Sequence, residues 1–310
     1  MKEQEFVFSI FTPTYNRARL LGRAFQSLRE QTFRNFEWLV VDSGSDGTDK
    51  LVEHWAKEAN FPVSYTWQPK NGKHIAVNTG VKMAKGDFFI ILDSDDWLVP
   101  NALERLLFHW QAISELMRNG YSGVAGLCAY ASGEIVGTPF PAPIIDSNAI
   151  EIRTIYNVTG DKFGMIRTDV LRTFPFPEDL GSFVTESLIW NRIAKVYNER
   201  YINEVLAHKE YQTDGLSYNS IKIRAESSLA ARTYYKEFVD LEGLHVPLDH
   251  RLKACANYVR FSIHDSVPLS KQYAEINRKA YWIFSLPFGI AIYLRDKWLL
   301  DKRIDTGVGL

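Results

Sequence analysis

Over the first hundred positions, short apolar runs alternate with stretches in which apolar residues recur at helical spacing. Phe6-Val7-Phe8-Ser9-Ile10-Phe11 reads as a strand, and Thr12-Pro13-Thr14-Tyr15-Asn16-Arg17 ends it with a proline and an asparagine able to cap a helix. Leu20, Leu21, Ala24, Phe25 and Leu28 then return at helical spacing with Arg17, Arg19, Arg23 and Arg29 between them, the pattern of a helix laid on a sheet. Glu37-Trp38-Leu39-Val40-Val41 predicts a second strand, stopped by the small-residue loop Asp42-Ser43-Gly44-Ser45-Asp46-Gly47-Thr48. A helix from Asp49 directs Leu51, Val52, Trp55, Ala56 and Ala59 inward, and Val63-Ser64-Tyr65-Thr66-Trp67 is a third strand. After Pro69-Lys70-Asn71-Gly72-Lys73-His74, a third helix carries Ala76, Val77, Gly80, Val81 and Ala84. The continuous run Phe88-Phe89-Ile90-Ile91-Leu92 is a fourth strand of the kind buried on both faces. This alternation predicts an α/β fold, a Rossmann-like, mostly parallel sheet with helices on both faces and right-handed crossovers.

The rhythm changes after residue 97. A long helix is expected from Pro100 to Asn119, with Leu103, Leu106, Leu107, Trp110, Ile113 and Leu116 on its inner face. Short strands follow at Val124 to Ala129, Ile135 to Val136 and Gly164 to Arg167, and the prolines of Thr138-Pro139-Phe140-Pro141-Ala142-Pro143 mark a loop. Leu188 to Tyr197 is again helical, preceded by Phe183-Val184-Thr185-Glu186. Beyond Ser220 the pattern is helical, with breaks near Gly243 to Pro247, at Val267-Pro268 and at Pro287.

With 310 residues and 46% hydrophobic content the chain can bury a large core. A net charge of −1 gives no overall drive towards nucleic acid. Cys128 and Cys255 are far apart in apolar surroundings, with neither metal-ligand nor disulfide spacing, which fits a reducing cytoplasm. The acidic start Met1-Lys2-Glu3-Gln4-Glu5 lacks the features of a signal peptide. The apolar stretch from Tyr281 to Leu294 is shorter than the ~20 residues a bilayer span needs and contains a proline. A cytoplasmic protein is expected.

Ligands of parallel α/β sheets sit beyond the carboxyl ends of the strands, which places Thr12 to Arg17, Asp42 to Thr48, Gly72 to His74 and Asp93 to Asp96 along one edge. Asp93 and Asp95, two apart at a strand tip, can converge on a hard divalent cation whose other positions are filled by water and phosphate oxygens. The same acids could instead cap a helix starting near Pro100.

These loops, with Asn78-Thr79-Gly80 ahead of Ala84-Lys85-Gly86-Asp87 and Leu92-Asp93-Ser94-Asp95-Asp96, resemble the family 2 glycosyltransferases of the nucleotide-diphospho-sugar transferase (GT-A) fold. The resemblance covers residues 5–218 and implies a bacterial surface-polysaccharide type of enzyme. It divides the chain into a glycosyltransferase domain, 1–218, and a helical C-terminal extension, 219–310. Within the domain, 1–97 would be the nucleotide-binding half and 98–218 the acceptor half. The donor, a UDP-sugar by analogy, would be held by Thr12, Thr14, Arg17, Asp42, Ser43, Lys73, His74, Asn78, Asp93 and Ser94. Many members carry two adjacent Asp residues where this chain has Asp42-Ser43, and an Arg where it has Val77; Lys73 and His74 are the candidates to supply that positive charge.

The resemblance further implies Mn2+ or Mg2+ at Asp95 and Asp93, with His208 a candidate third ligand, and Asp96 in support. Glu186 is the candidate base that takes the proton from the acceptor hydroxyl in an inverting transfer, with Glu178 and Asp179 as rivals. The acceptor would be a saccharide or lipid-linked saccharide. His208 to Ser217, including the Asp214-Gly215 turn, lies where relatives return a loop to the diphosphate. Residues 271–303 carry seven basic residues against three acids, interleaved with aromatics. They are a candidate peripheral contact with the inner face of the cell membrane; packing on the main domain or on a second subunit is the alternative. Two other classes stay open from the residues alone, a phosphohydrolase using the Asp-x-Asp and a binding or scaffold subunit without turnover.

Overall fold

The structure, a computed structural model, describes residues 6–69, 72–210, 212 and 220–305. Lys70 and Asn71, and the Asp214-Gly215 turn, lie outside the described residues. The chain begins with β1 (Phe6–Thr14), α1 (Ala18–Arg29), β2 (Phe36–Asp42), α2 (Thr48–Glu58), β3 (Val63–Trp67), α3 (Lys73–Met83) and β4 (Gly86–Ile91). It continues through β5 (Trp97–Leu98), α4 (Ala102–Gln111), α5 (Glu115–Arg118), β6 (Tyr121–Tyr130), β7 (Ile144–Ser147) and α6 (Ala149–Thr154). Next come β8 (Lys162–Arg167), α7 (Thr168–Thr173), α8 (Ser187–Ala194) and β9 (Asn198–Lys209). The remainder is α9 (Ser220–Glu226), α10 (Ser228–Val239), α11 (Leu248–His264), α12 (Leu269–Glu275) and α13 (Lys279–Asp305).

The strands form a sheet of order β3-β2-β1-β4-β8-β6-β9-β5, with β7 paired to β9. β1, β2, β3 and β4 are parallel, as expected, and β6 and β9, parallel to each other, run the same way. β8, β5 and β7 run against them. Alternation along β1 sends side chains to both faces. Phe8 and Ile10 join Phe25, Leu28, Trp38, Phe88 and Leu103 in one buried cluster. Phe11 points the other way, against α3, where a β-carbon on Gly80 would lie 2.3 Å from the Phe11 ring. Burying a side chain of this size contributes about 2 kcal/mol, so the strand faces hold the helices in place.

By internal contacts the chain forms two compact units, Met1–Phe176 with Arg192–Glu210, and Pro177–Asn191 with Tyr211–Leu310. The sheet belongs wholly to the first. In the second, α11 packs against α10 and α13; Tyr235 stacks on Phe261 with centroids 5.7 Å apart, and Arg232 joins Asp265 at 2.7 Å to Glu275 at 2.8 Å.

Four expectations are corrected. The helix expected from Pro100 to Asn119 breaks after Gln111; Ile113 is buried but Leu116 is 95% exposed, so the inner face ends at the break. Ala56 on α2 is exposed. Ile135 makes only an isolated bridge to Ala129. Pro287 does not end a helix but lies within α13 on its exposed side, where the carbonyl it leaves without an N–H partner can face water.

Candidate donor site

Parallel pairing brings the ends of β1, β2 and β4 to one edge, and Leu92 N–H extends it by donating to Phe11 O at 2.9 Å. Asp96 N–H then donates to Asp93 O at 3.1 Å, closing a tight turn that carries three carboxylates. Each meets a cation of the same chain. Lys73 Nζ is 2.5 Å from Asp93 Oδ1, Arg17 Nη1 is 2.9 Å from Asp95 Oδ2, and Lys209 Nζ is 2.7 Å from Asp96 Oδ2. Lys209 also lies 3.5 Å from Asp161 and 4.0 Å from Asp93.

The electrostatics follow from this packing. Burial pushes the Asp93 carboxyl up, but Lys73, then Lys209 and Arg17, outweigh it and hold the group below its ordinary value. Asp96 is buried more deeply; desolvation, with Asp93 and Asp95 adding to it against Lys209, pushes it up to about 7. Burial disfavours the Lys209 ammonium, yet Asp93, Asp96 and Asp161 reverse that and raise it.

The second loop is tied to the first. Asp42 is buried and accepts from Gly44 N–H at 2.8 Å and from the Tyr65 hydroxyl at 3.0 Å; desolvation first, then Asp42, raises the tyrosine well above its ordinary value. Ser43 N–H donates to Thr14 O at 3.0 Å, and Ser45 N–H donates to Asn16 Oδ1 at 2.9 Å. Asp46 accepts from Ala18 N–H at 2.8 Å, capping the start of α1 from across the loop. Burial raises the Asp46 carboxyl, and this bond with those of Thr48 brings it below its usual value.

All four strand-end loops are thus gathered. The predicted residues differ in how they are engaged within that arrangement. The buried Thr12 hydroxyl accepts from Trp38 Nε1 at 2.9 Å, whereas the buried Thr14 hydroxyl has no partner among the described residues. Asn78 spends its amide on the backbone of Phe176, donating to O at 2.8 Å and accepting from N–H at 2.9 Å. His74 and Ser94 are buried, and Lys73 reaches the Asp93 carboxylate. His208 stacks on Trp97 with centroids 5.4 Å apart, its Nδ1 3.3 Å from Tyr130 O. It does not complete a ligand set: among the described residues no group of three or more His, Cys, Asp or Glu is placed to hold a metal.

Glu186 belongs to the second unit, where its carbonyl accepts from Ile189 N–H at 2.9 Å and Trp190 N–H at 3.1 Å and so opens α8. Its carboxylate stands at a helix start, where the dipole favours negative charge. A crevice beside it is lined by Phe183, Thr185, Arg224, Ala231, Tyr234 and Tyr235. Glu178 and Asp179 are exposed in the same unit.

Sequence reasoning missed Lys209, Asp161 and Arg23. Arg23 lies over the Trp97 ring at 4.6 Å, donates to Asp95 O at 3.4 Å and pairs with Glu210. The signal for Lys209 was a charge inside a strand, between His208 and Glu210, but β9 itself is weakly apolar.

The sequence profile described as glycosyl transferase family 2 matches residues 9–166, about half of the 310-residue chain. A GalNAc(5)-diNAcBac-PP-undecaprenol beta-1,3-glucosyltransferase from Campylobacter jejuni is 23% identical over 282 residues, covering 86% of this chain and 85% of that protein. Among solved structures, Staphylococcus aureus TarS 1–349 in complex with UDP-GlcNAc superposes with a TM-score of 0.57 at 20% identity, covering 93% of this chain and 91% of that one. A mannosyltransferase from Pyrobaculum calidifontis in complex with GDP-Man and Mn2+ gives a TM-score of 0.57 at 18% identity, covering 95% and 88%. At these identities the structural likeness is one of fold.

Proposed function

The chain belongs to glycosyl transferase family 2 and is a glycosyltransferase using a nucleotide-sugar donor, and on that premise we propose that it transfers a sugar from a UDP-sugar, with inversion, to a hydroxyl of a polysaccharide or lipid-linked oligosaccharide. The observation that carries this reading is the union of the Asp42 loop, the Asp93 to Asp96 turn, Arg17 and Lys73 on one edge of the parallel strands. A leaving nucleoside diphosphate gains negative charge as the glycosidic bond breaks, and fixed cations beside it lower that barrier. Thr14 and Asp42 are assigned to the nucleoside, Arg17 and Lys73 to the phosphates.

The carboxylates fit a divalent ion of the Mn2+ or Mg2+ kind by the chemistry of their donors. Asp93 and Asp95 offer hard oxygens on one turn, and, since no group of three or more metal-ligating side chains is placed there among the described residues, water and donor phosphates would complete the shell, as such ions prefer. When bound, the ion would supply positive charge to the diphosphate. Glu186 takes the proton from the acceptor hydroxyl as its oxygen forms the new bond to the anomeric carbon and the carbon–oxygen bond to the diphosphate breaks. The supports for Glu186 are its place at the start of α8 and the family resemblance.

Thermal unfolding with UDP, GDP, CDP and TDP, each with and without Mn2+, tests the donor assignment. UDP at ~100 times its dissociation constant should add about 2.7 kcal/mol to the folded state, and an equal or larger shift with GDP would overturn the choice of nucleotide. Glu186→Gln should keep the UDP shift while transfer falls by a factor on the order of 10² or more. Retained transfer would remove Glu186 from the reaction.

A further inference from the structure

α13 turns several of its large apolar side chains outward. At about 100° per residue, Trp282, Ser285, Gly289 and Asp296 share one narrow arc, and all are buried. There the backbone presses onto α11: a β-carbon on Gly289 would lie 2.5 Å from Val259 Cβ, Ser285 donates to Leu252 O at 3.1 Å, and Asp296 pairs with Arg260 and with His264 at 3.3 Å. The opposite arc, about 140° wide, holds Ile283, Phe284, Phe288, Leu294 and Trp298, each more than half exposed. A packed helix ordinarily places its large apolar side chains inward and its small and charged ones outward. Arg295 and Asp301 share this arc, and an exposed group of large apolar side chains of this kind marks a surface that something covers.

The charges say what covers it. Of the three acids between Lys271 and Arg303, Glu275 is drawn to Arg232 at 2.8 Å and Asp296 is fully buried, leaving Asp301 exposed. Lys271, Arg278, Arg295 and Lys297 are exposed, Lys271 lying 3.8 Å from Glu275 and Arg295 3.7 Å from Asp296. The exposed charges described between Lys271 and Asp301 are therefore predominantly positive, with four cations against Asp301. Two copies pairing through this face would set like charge against like. An anionic lipid surface takes both parts, aromatic and aliphatic side chains in the acyl boundary and cations among the headgroups. Among the described residues no helix is long and apolar enough to cross a membrane, so the contact is one of lying on the surface.

We propose that the exposed face of α13, centred on Phe284, Phe288 and Trp298, docks this protein onto an anionic bilayer. This does not depend on the assignment of the donor site, because vesicle binding needs neither donor nor acceptor. The test is co-sedimentation of the full chain with vesicles of phosphatidylglycerol and phosphatidylethanolamine, against vesicles of phosphatidylcholine alone. Binding to the anionic vesicles is expected to be at least tenfold tighter and to weaken with salt. Phe284→Ser with Phe288→Ser, and separately Arg295→Glu with Lys297→Glu, should each lower it at least tenfold without moving the thermal midpoint, since these side chains are exposed. Wild-type chain left in the supernatant would overturn the proposal. So would a Phe284→Ser, Phe288→Ser variant that turns a dimer into a monomer and binds vesicles as before, which would make the face a contact between copies.

Discussion

Lys209 shows how one side chain can hold a site together. It sits among Asp93, Asp96 and Asp161, and removing it leaves the buried Asp96 carboxylate without the cation that faces it. Breaking such a pair from one side costs about 3 kcal/mol, whereas replacing both partners costs far less. Lys209→Met is therefore expected to lower stability by about that amount in urea titrations, and Lys209→Met with Asp96→Asn to recover more than half of it. The place of Asp93 and Asp95 was legible because an apolar strand that stops in carboxylates brings them to the ligand edge of a parallel sheet. Lys209 was not, because a lysine in sequence reads as solvated, and only the antiparallel return of β5 against β9 encloses it near the turn. Asn78 lies where the family resemblance put a donor contact, yet its amide serves Phe176, a partner 98 residues away that no local pattern announces.

Among the elements, the parallel half was readable because β1, β2 and β4 are apolar runs separated by helices with clear periodicity. β9 was hidden by Asn198, Glu199, Arg200, Asn203, Glu204 and His208, polar residues several of which are bound to neighbours, Arg200 to Asp146 and Asn203 to the backbone of Phe140 and Ala142. Glu204 is the example: Arg105 donates to it through Nε and Nη2 at 2.7 Å, and His109 lies 2.8 Å away, tying α4 to the strand. The arginine first, with His109 helping against burial, lowers the Glu204 carboxyl to about 2. Because the folded value lies below the ordinary 4.5, the stabilisation is complete above pH 4.5 and disappears as pH falls towards 2. Glu204→Gln should cost about 1 kcal/mol at pH 7, allowing for solvent screening, and the gap to wild type in acid denaturation should close across that window. The break between α4 and α5 was missed for a related reason. Leu116 continues the apolar spacing into a segment that the sheet no longer covers.

On the scale of the whole molecule, the chain passes from one compact unit to the other and back, at Phe176, Asn191 and Glu210. The family resemblance places a boundary at residue 218; by internal contacts Pro177–Asn191, which carries Glu186, groups with the C-terminal helices. A chain ending at residue 219 is thus expected to lose the partners of Phe183 and Thr185, to melt at least about 5 °C lower and to bind more of a dye for exposed apolar surface. The position of β9 has a different consequence, for synthesis. β6 is buried along nearly its whole length between β8 and β9, yet β9 is the last strand of the sheet to leave the ribosome. While the residues between Tyr130 and Lys209 are being made, on the order of ten seconds at ordinary elongation rates, the nascent sheet has an unpaired apolar edge at β6. Slower codons across that interval are therefore expected to lengthen the exposure of that edge and lower the soluble yield, and added chaperone to restore it.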